Sequence, residues 1–248
     1  CPAAALVLSD GPGLYARLRA LSASCFGAYL DAGSFQLISS SPERFLSLRG
    51  RAVETRPMKG TRPRGLDRQS DGRLRQALCR SAKEQAELLM ITDLMRNDLG
   101  RVCRYGSVRV ERLREIEAYR TVYQATSTVT GELAPGRDGL DVLSACVPGG
   151  SVTGCPKIRA AQIIDELEPG RRGFYTGSAG YMDQSGDMDF NILIRTLILR
   201  EGRASFHVGS GIVADSDPEA EYAETLVKAA AIRECLSGYV GGPGSAVI

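Results

Sequence analysis

The chain has 248 residues, 43% of them hydrophobic and 24% charged, and its 31 basic and 29 acidic side chains give a formal net charge of +2. This length can bury a substantial core as one large domain or two small ones. The balanced charge excludes an extended polyanion-binding surface. No apolar run approaches the roughly 20 residues of a membrane-spanning helix.

The seven cysteines are scattered and form no CxxC or Cys/His pattern. A zinc site is therefore not expected, and reduced thiols in a cytoplasmic compartment are the natural interpretation. His207 is the single histidine and lies in an alternating, strand-like run, so we interpret it as structural. The chain begins Cys1-Pro2 with neither a methionine nor a signal-peptide pattern, which predicts a fragment or a domain of something longer.

The first part of the chain predicts a helix over 14–21 and two hairpins, one about Asp31–Ser34 and one about Gly50. The polar stretch Arg62–Asp71 predicts a mobile loop. One long helix is predicted over 73–97, with a single apolar stripe. The residues of this stripe are Leu74, Leu78, Ala82, Leu89, Met90 and Leu94.

The rest of the chain predicts more strands, three helices and a disordered tail at 238–248. The predicted strands are 106–113, 119–131, 177–182, 188–199 and 204–213, and the predicted helices are 140–146, 156–167 and one from a capping box at Ser216–Glu219 to about Leu236. Antiparallel hairpins with helices between them indicate an α+β fold and not a doubly wound parallel sheet.

Lys59 stands in a stretch that would hold it better than a free surface loop does. Pro57 restricts the approaching backbone, and Gly60 allows a close contact because it has no side chain. The alternative for this stretch alone is a solvated lysine in a turn.

Two predicted helices carry carboxylates at spacings that share a face. Glu84 and Glu87 are three residues apart, and Glu221, Glu224 and Lys228 follow at intervals of three and four. Oxygen ligands from two helices could hold Mg²⁺, which typically uses one or two protein carboxylates. Solvated Glu/Lys faces are the alternative.

Two further features could bind anions. The stretch Pro148–Lys157 places three glycines, two hydroxyls and Lys157 before a helix N-terminus, which outlines an anion site or, equally well, a tight turn. Alternation places Arg195 among leucines on a strand face, where it needs a protein or substrate carboxylate. Gly209–Val213 could offer backbone amides to a second carboxylate, or form a bulge.

Seven motifs in order resemble the chorismate-binding enzymes, over roughly residues 25–236. The motifs are Ser41–Phe45, Arg56–Thr61, Ala86–Asp98, Pro148–Lys157, Ile163–Pro169, Ile194–Thr196 and Gly211–Thr225. The resemblance implies two packed antiparallel sheets flanked by helices, an α/β/β/α sandwich. It also implies one catalytic domain over residues 1–237, incomplete at its N-terminus and without the family's opening strand.

The resemblance also implies residue roles. Glu87 and Glu224 match Mg²⁺ ligands, with Glu84 and Glu221 adjoining. The positions that match substrate-binding residues are Arg195, Tyr175 and Gly211 at the enolpyruvyl carboxylate, Lys228 at the ring carboxylate, and Thr61, Thr153 and Gly154 along the substrate wall.

Within the family, a lysine at the position of Lys59 resembles the branch that forms 4-amino-4-deoxychorismate, on the way to folate. There the amine attacks ring C2 as the C4 hydroxyl leaves, and ammonia from a glutamine amidotransferase partner then displaces it at C4. Lysine amines ordinarily titrate near pH 10.4, so desolvation and nearby Arg62 are expected to favour the neutral form.

Two other functions stay open at this point. One is anthranilate synthesis or another chorismate-utilising activity, against which Lys59 and Gln124 argue, because pyruvate-eliminating relatives commonly carry histidine where this chain has Gln124. The other is a truncated domain that binds chorismate without turning it over.

Overall fold

The computed structural model describes residues 2–6, 10–119 and 122–237, with side chains described from residue 10 onward. The predicted disordered tail at 238–248 lies outside the described residues. The chain forms two compact units. Unit 1 contains the residues up to Pro42, Arg172–Ser178 and the residues from Asn191 onward, and unit 2 contains Glu43–Arg171 and Ala179–Phe190.

The described residues form twelve strands and six helices. The strands are β1 (Pro2–Leu6), β2 (Phe26–Asp31), β3 (Gln36–Ser41), β4 (Arg44–Arg49), β5 (Ala52–Thr55), β6 (Met58–Pro63), β7 (Arg109–Ala118), β8 (Val122–Glu132), β9 (Ser178–Met182), β10 (Met188–Ile192), β11 (Thr196–Arg200) and β12 (Arg203–His207). The helices are α1 (Gly11–Leu21), α2 (Arg68–Arg80), α3 (Ala82–Gly100), α4 (Gly139–Cys146), α5 (Lys157–Leu167) and α6 (Pro218–Ser237).

The sheet of unit 1 has five strands in the order β1-β12-β11-β3-β2. Apolar side chains of α1 and α6 form one core cluster with this sheet, and each fully buried Leu or Ile contributes about 1.5–3 kcal/mol. Members of the cluster are Leu14, Leu18, Ile38, Leu197, Phe206, Ile232 and Leu236. The expectation that the chain has no opening strand is wrong, because β1 pairs with β12 from Pro2↔His207 to Leu6↔Arg203.

The second sheet has seven strands in the order β6-β8-β5-β4-β10-β9, with β7 also paired to β8. In unit 2, Leu78 of α2 and Leu88 of α3 pack on Tyr123 and Ala125 of β8. The predicted pair of antiparallel sheets flanked by helices is confirmed. The extent of one catalytic domain over 1–237 stays a prediction.

The predicted helix over 73–97 is two helices. Ser81 ends α2 and begins α3, because its backbone is extended (φ −65°, ψ 107°) and its side chain accepts a hydrogen bond from the N–H of Glu84. The interruption changes the phase of the apolar stripe. Leu89 is therefore 56% exposed, and the buried face of α3 contains Leu88, Ile91, Thr92, Met95, Asp98 and Leu99.

The predicted mobile loop at Arg62–Asp71 is also largely wrong, because β6 continues to Pro63 and α2 begins at Arg68. At the start of α6, the side chain of Asp217 accepts from the N–H of Ala220 at 2.8 Å, so Asp217 takes the capping position predicted for Ser216. Among the described residues no helix has the length and apolarity needed to cross a membrane.

Candidate functional site

Lys59 lies in β6 beside a distortion of the strand. The pairing of β6 with β8 shifts register between Lys59 and Thr61, and Gly60 between them has φ +82°. A Cβ on Gly60 would lie 2.9 Å from Leu78 and 3.0 Å from the carboxyl of Glu84. The site needs glycine for both its backbone conformation and this close approach. Lys59 is therefore on a positioned strand and is not the surface-turn lysine of the alternative interpretation.

Glu43 is a functional candidate for which we predicted no role. It is 4% exposed, and burial raises the pKa of its carboxyl to about 7, although a hydrogen bond from Ser151, the charge of Lys59 and the N–H of Met58 oppose that rise. A carboxyl that exchanges a proton near neutral pH beside a lysine is typical of acid–base chemistry. The available sequence signal is its place in the Ser41–Phe45 motif.

Glu84 lies in the first turn of α3 and contacts β6. Its Oε1 accepts from Arg62 Nη1 at 2.7 Å, whereas its Oε2 is buried without a hydrogen-bond partner among the described residues. The charge of Arg62 is thus compensated by Glu84, so the expected effect of Arg62 on Lys59 is weakened. One turn on, Glu87 lies 3.9 Å from Lys83. Thr61, on the same strand as Lys59, is exposed and pairs in register with buried Gln124.

The glycine-rich stretch forms a short 3₁₀ turn at Gly150–Val152 before α5. Thr153 Oγ1 donates to the carbonyl of Gly149 at 2.9 Å, and Gly154 has φ +142°. Lys157 is not available to a bound anion, because its Nζ contacts Asp98 at 2.5 Å and the Cys146 carbonyl at 2.7 Å. The prediction of an anion site that uses Lys157 is wrong, and the tight-turn alternative describes the loop.

In unit 1, the predicted continuous strand over 188–199 is interrupted at Leu193–Arg195. Arg195 has φ +50°, a left-handed conformation that costs of order 1–3 kcal/mol in a non-glycine residue. Burial lowers the pKa of its guanidinium, and Arg195 forms no ion pair with the described residues. The expected place on a leucine face is wrong, but a largely desolvated, strained arginine is a strong candidate for binding a carboxylate.

Tyr175 belongs to the segment that crosses this interruption. The N–H of the next residue, Thr176, which also has positive φ (64°), donates to the carbonyl of Leu193 at 2.9 Å. The Tyr175 ring stacks on His207, with centroids 5.3 Å apart and planes at 16°. Gly209 is required here because a Cβ would lie 2.7 Å from the Tyr175 hydroxyl oxygen. These contacts give Tyr175 a fixed orientation.

The carboxylates of α6 are used differently from each other. Glu221 is 5% exposed, and its two oxygens accept from the hydroxyls of Ser210 and Ser216, so it holds the irregular segment that contains Gly211. Glu224 is exposed and pairs with Lys228 Nζ at 2.6 Å. Lys228 also donates to the carbonyl of Gly209 at 3.1 Å.

The predicted metal ligands differ in how well they fit Mg²⁺. No cluster of three or more His, Cys, Asp or Glu suited to a metal is found in the described part of the chain. Mg²⁺ often takes only one or two protein oxygens. The unpartnered Oε2 of Glu84 fits such a donor, and so does the exposed carboxylate of Glu224, one oxygen of which pairs with Lys228. Glu221 does not fit, because both of its oxygens accept from serine hydroxyls.

Each unit thus gathers part of the predicted set. Unit 2 brings Lys59, Glu84 and, through Ser151 and Glu43, the glycine loop to one end of β6. Unit 1 brings Tyr175, Gly209, Lys228 and Glu224 together.

Two antiparallel sheets flanked by helices define the class of fold to which this chain belongs. The chain belongs to the chorismate binding enzyme family, whose model matches residues 4–234. It is 47% identical over 223 residues to aminodeoxychorismate synthase component 1 of Bacillus subtilis (90% of this chain, 47% of the relative). It is 49% identical over 223 residues to anthranilate synthase component 1 of Thermus thermophilus (90% and 48%).

A crystal structure of anthranilate synthase component I from Streptococcus pneumoniae superposes with a TM-score of 0.83 at 40% identity, over 92% of this chain and 50% of that one. The chain therefore spans about half the length of the relatives it matches.

Proposed function

We propose that this chain is the chorismate-binding part of an aminodeoxychorismate synthase component I. It converts chorismate and ammonia to 4-amino-4-deoxychorismate, with Mg²⁺ and with ammonia from a glutamine amidotransferase partner. The observation that carries the proposal is Lys59, held on the distorted strand β6 beside the buried carboxyl of Glu43. A nucleophile next to a group that exchanges protons near neutral pH suits covalent catalysis.

The reaction needs one proton delivered and one recovered. The neutral Lys59 amine forms a bond to ring C2 while the C4–O bond breaks, and protonated Glu43 gives its proton to the leaving hydroxyl, which departs as water. Ammonia then bonds to C4, the C2–N bond to Lys59 breaks, and the new ammonium returns a proton to Glu43. The residues are thus restored, and the net reaction is chorismate plus ammonia to the aminated product plus water.

Other residues bind the substrate in this proposal. Arg195 pairs with one substrate carboxylate, because its desolvated guanidinium needs an anion. Tyr175 and the backbone near Gly211 hold the same group, and Lys228 lies toward the ring carboxylate. Glu84, Glu87 and Glu224 are the residues that would offer oxygen ligands to Mg²⁺, and the ion would screen substrate carboxylate charge.

The product distinguishes this function from its rival. Relatives named anthranilate synthase match as well as those named aminodeoxychorismate synthase, so anthranilate formation is the second candidate. The purified protein is incubated with chorismate, Mg²⁺ and ammonium, and the product is identified by mass. We expect a product that retains the enolpyruvyl group; anthranilate or isochorismate as sole product would exclude the proposal. Calorimetric binding without turnover would indicate a non-catalytic domain.

A further inference from the structure

The glycine loop contacts the buried carboxyl of Glu43, while its Lys157 is held by Asp98 and the Cys146 carbonyl. Ser151, in the 3₁₀ turn of this loop, makes a side-chain hydrogen bond to Glu43. Both residues belong to unit 2. The loop was predicted to face a ligand, so this contact gives it a different role.

The turn that carries Ser151 is rigidly supported. A Cβ on Gly150 would lie only 2.6 Å from Leu94 of α3, so the turn packs directly on that helix. The N–H of Val152 and the hydroxyl of Thr153 both donate to the carbonyl of Gly149, at 3.3 and 2.9 Å. The backbone that carries Ser151 is therefore fixed against α3, which presents the Ser151 side chain to Glu43 from a preorganised turn.

We infer that Ser151 is a positioning residue for Glu43. The Ser151 hydroxyl governs how readily the Glu43 carboxyl gives up and takes back a proton. A hydroxyl donor stabilises a carboxylate more than a neutral carboxylic acid. The inference rests on the proposed function only in that the Glu43 proton is used in the amination of chorismate.

Two other groups act on Glu43 besides Ser151. Lys59 of β6 is a charged side chain beside it, and the N–H of Met58 on the same strand is a neutral donor. Lys59 also favours the ionised carboxyl, so its contribution has to be separated from that of Ser151. Ser151→Ala in a Lys59→Met background achieves this separation, since loss of the hydroxyl should raise the proton affinity of Glu43 with or without the lysine.

The test is a titration of Glu43 without substrate. Protein labelled with ¹³C at glutamate carboxyls is followed by NMR between pH 5 and 9, and Glu43→Gln identifies the signal. Ser151→Ala should raise the proton affinity of Glu43 about tenfold, because the lost bond is to a charged group. Ser151→Thr should stay within about twofold of the wild type, whereas Ser151→Val, of nearly the same shape, should behave like the alanine variant.

Unchanged proton affinity in both Ser151→Ala and Ser151→Val would overturn the inference, and so would equal shifts in the threonine and valine variants. Thermal unfolding of the alanine, valine and threonine variants identifies any variant that is not folded. If the valine or threonine variant is not folded, the Ser151→Ala result decides alone. The proposed function fails separately, on product identity. A shifted titration with an unshifted pH profile of turnover would keep the Ser151–Glu43 contact and remove Glu43 from the chemistry.

Discussion

Arg64 and Asp71 are joined by two parallel hydrogen bonds, from Nε to Oδ1 at 2.8 Å and from Nη2 to Oδ2 at 2.7 Å. The hydroxyl of Tyr123 donates to the same carboxylate at 2.6 Å, and the Arg64 guanidinium lies over the Tyr123 ring at 4.6 Å. These contacts connect the residues that follow β6 to α2 and β8. They explain why the polar stretch after Lys59 is ordered.

This pair predicts an acid-dependent loss of stability. Hydrogen bonds from Arg64 and Tyr123 hold the pKa of Asp71 well below its ordinary value. A depressed folded pKa stabilises the protein above the unfolded pKa of about 3.9, and this stabilisation is lost as pH falls toward the folded value. Asp71→Asn should therefore unfold at lower urea concentration than the wild type at pH 7.

The difference should shrink as pH falls from about 5 to 2, as measured by urea unfolding across that range. Asp93→Asn is the matched control, because its pair with Arg96 is exposed on α3 and surface pairs contribute about 0–1 kcal/mol. A constant difference between Asp71→Asn and the wild type at all pH values would contradict the prediction.

Gly60 and Gly50 test how much of the β6 geometry depends on close approach. Both have positive φ, +82° and +57°, but a Cβ on Gly50 meets no atom within 4 Å, whereas one on Gly60 meets Leu78 and Glu84. Gly50→Ala should cost about 1–2 kcal/mol of unfolding free energy from its backbone conformation alone. Gly60→Ala should cost about 1–3 kcal/mol more, since overpacking is added.

The two glycine variants are compared by urea unfolding at pH 7 and by turnover. Gly60→Ala should also reduce turnover, because the displaced strand carries Lys59, while Gly50→Ala should leave turnover close to wild type. Equal effects of the two substitutions would show that the contact with Glu84 is not a constraint on β6.

Elements with clear turn or terminal signals in the sequence were predicted correctly. The hairpins about Gly33 and Gly50 follow from turn residues with positive φ, and α4 and α5 follow from their flanking prolines and glycines. Ser81 is different: Arg-Ser-Ala-Lys has ordinary helical propensity, so the break between α2 and α3 depends on a cap and not on composition.

Candidate site residues can be proposed from sequence where chemistry follows residue identity, and not where it follows tertiary contact. The carboxylates, Arg195 and Lys59 were proposed by residue type and by family motif, and their roles stay predictions. Glu43 is buried, and its hydrogen-bond partner Ser151 is distant in sequence, so no local pattern reveals this contact. The left-handed backbone of Arg195 is fixed by neighbours such as Ser40, whose N–H donates to its carbonyl at 3.1 Å, and strand alternation misplaced it for that reason.

The covalent role of Lys59 predicts an adduct. Chorismate and Mg²⁺ without ammonia should add to the protein the mass of chorismate less water, because the amine displaces the C4 hydroxyl and no second nucleophile follows. Lys59→Arg keeps the charge but offers no comparable nucleophile, so it should form no adduct and lose about a thousandfold or more in amination rate. Intact-protein mass spectrometry and product assays measure both.

Arginine and alanine at position 59 separate charge from nucleophilicity. If Lys59 acted only through its charge, the arginine variant would retain much of the activity that the alanine variant loses. Equal loss in the two variants, without an adduct in either, supports attack by the amine. An adduct formed by Lys59→Ala would assign the nucleophile to another residue.

Asp98 and Lys157 form a buried pair that fixes the glycine loop to α3. Their side chains are 6% and 15% exposed, and Lys157 Nζ also contacts the Cys146 carbonyl. Removing one partner leaves the other charge buried, so Lys157→Met should cost about 3–5 kcal/mol of unfolding free energy. Burial already raises the pKa of Asp98 despite the bond from Lys157, which shows how costly its charge is in this position.

The double variant Asp98→Leu with Lys157→Met should recover most of that loss, because replacing both charges with apolar groups removes the desolvation cost of each. Urea unfolding of the two single variants and the double variant gives the coupling between the residues. Additive losses would mean that the pair does not act as a unit. The turn containing Ser151 begins seven residues before Lys157, so the ion pair can also be tested through the titration of Glu43. If the ion pair positions that turn, the proton affinity of Glu43 should change in Lys157→Met and return toward wild type in the double variant. If the packing of Gly150 positions the turn, the proton affinity should not follow this pattern.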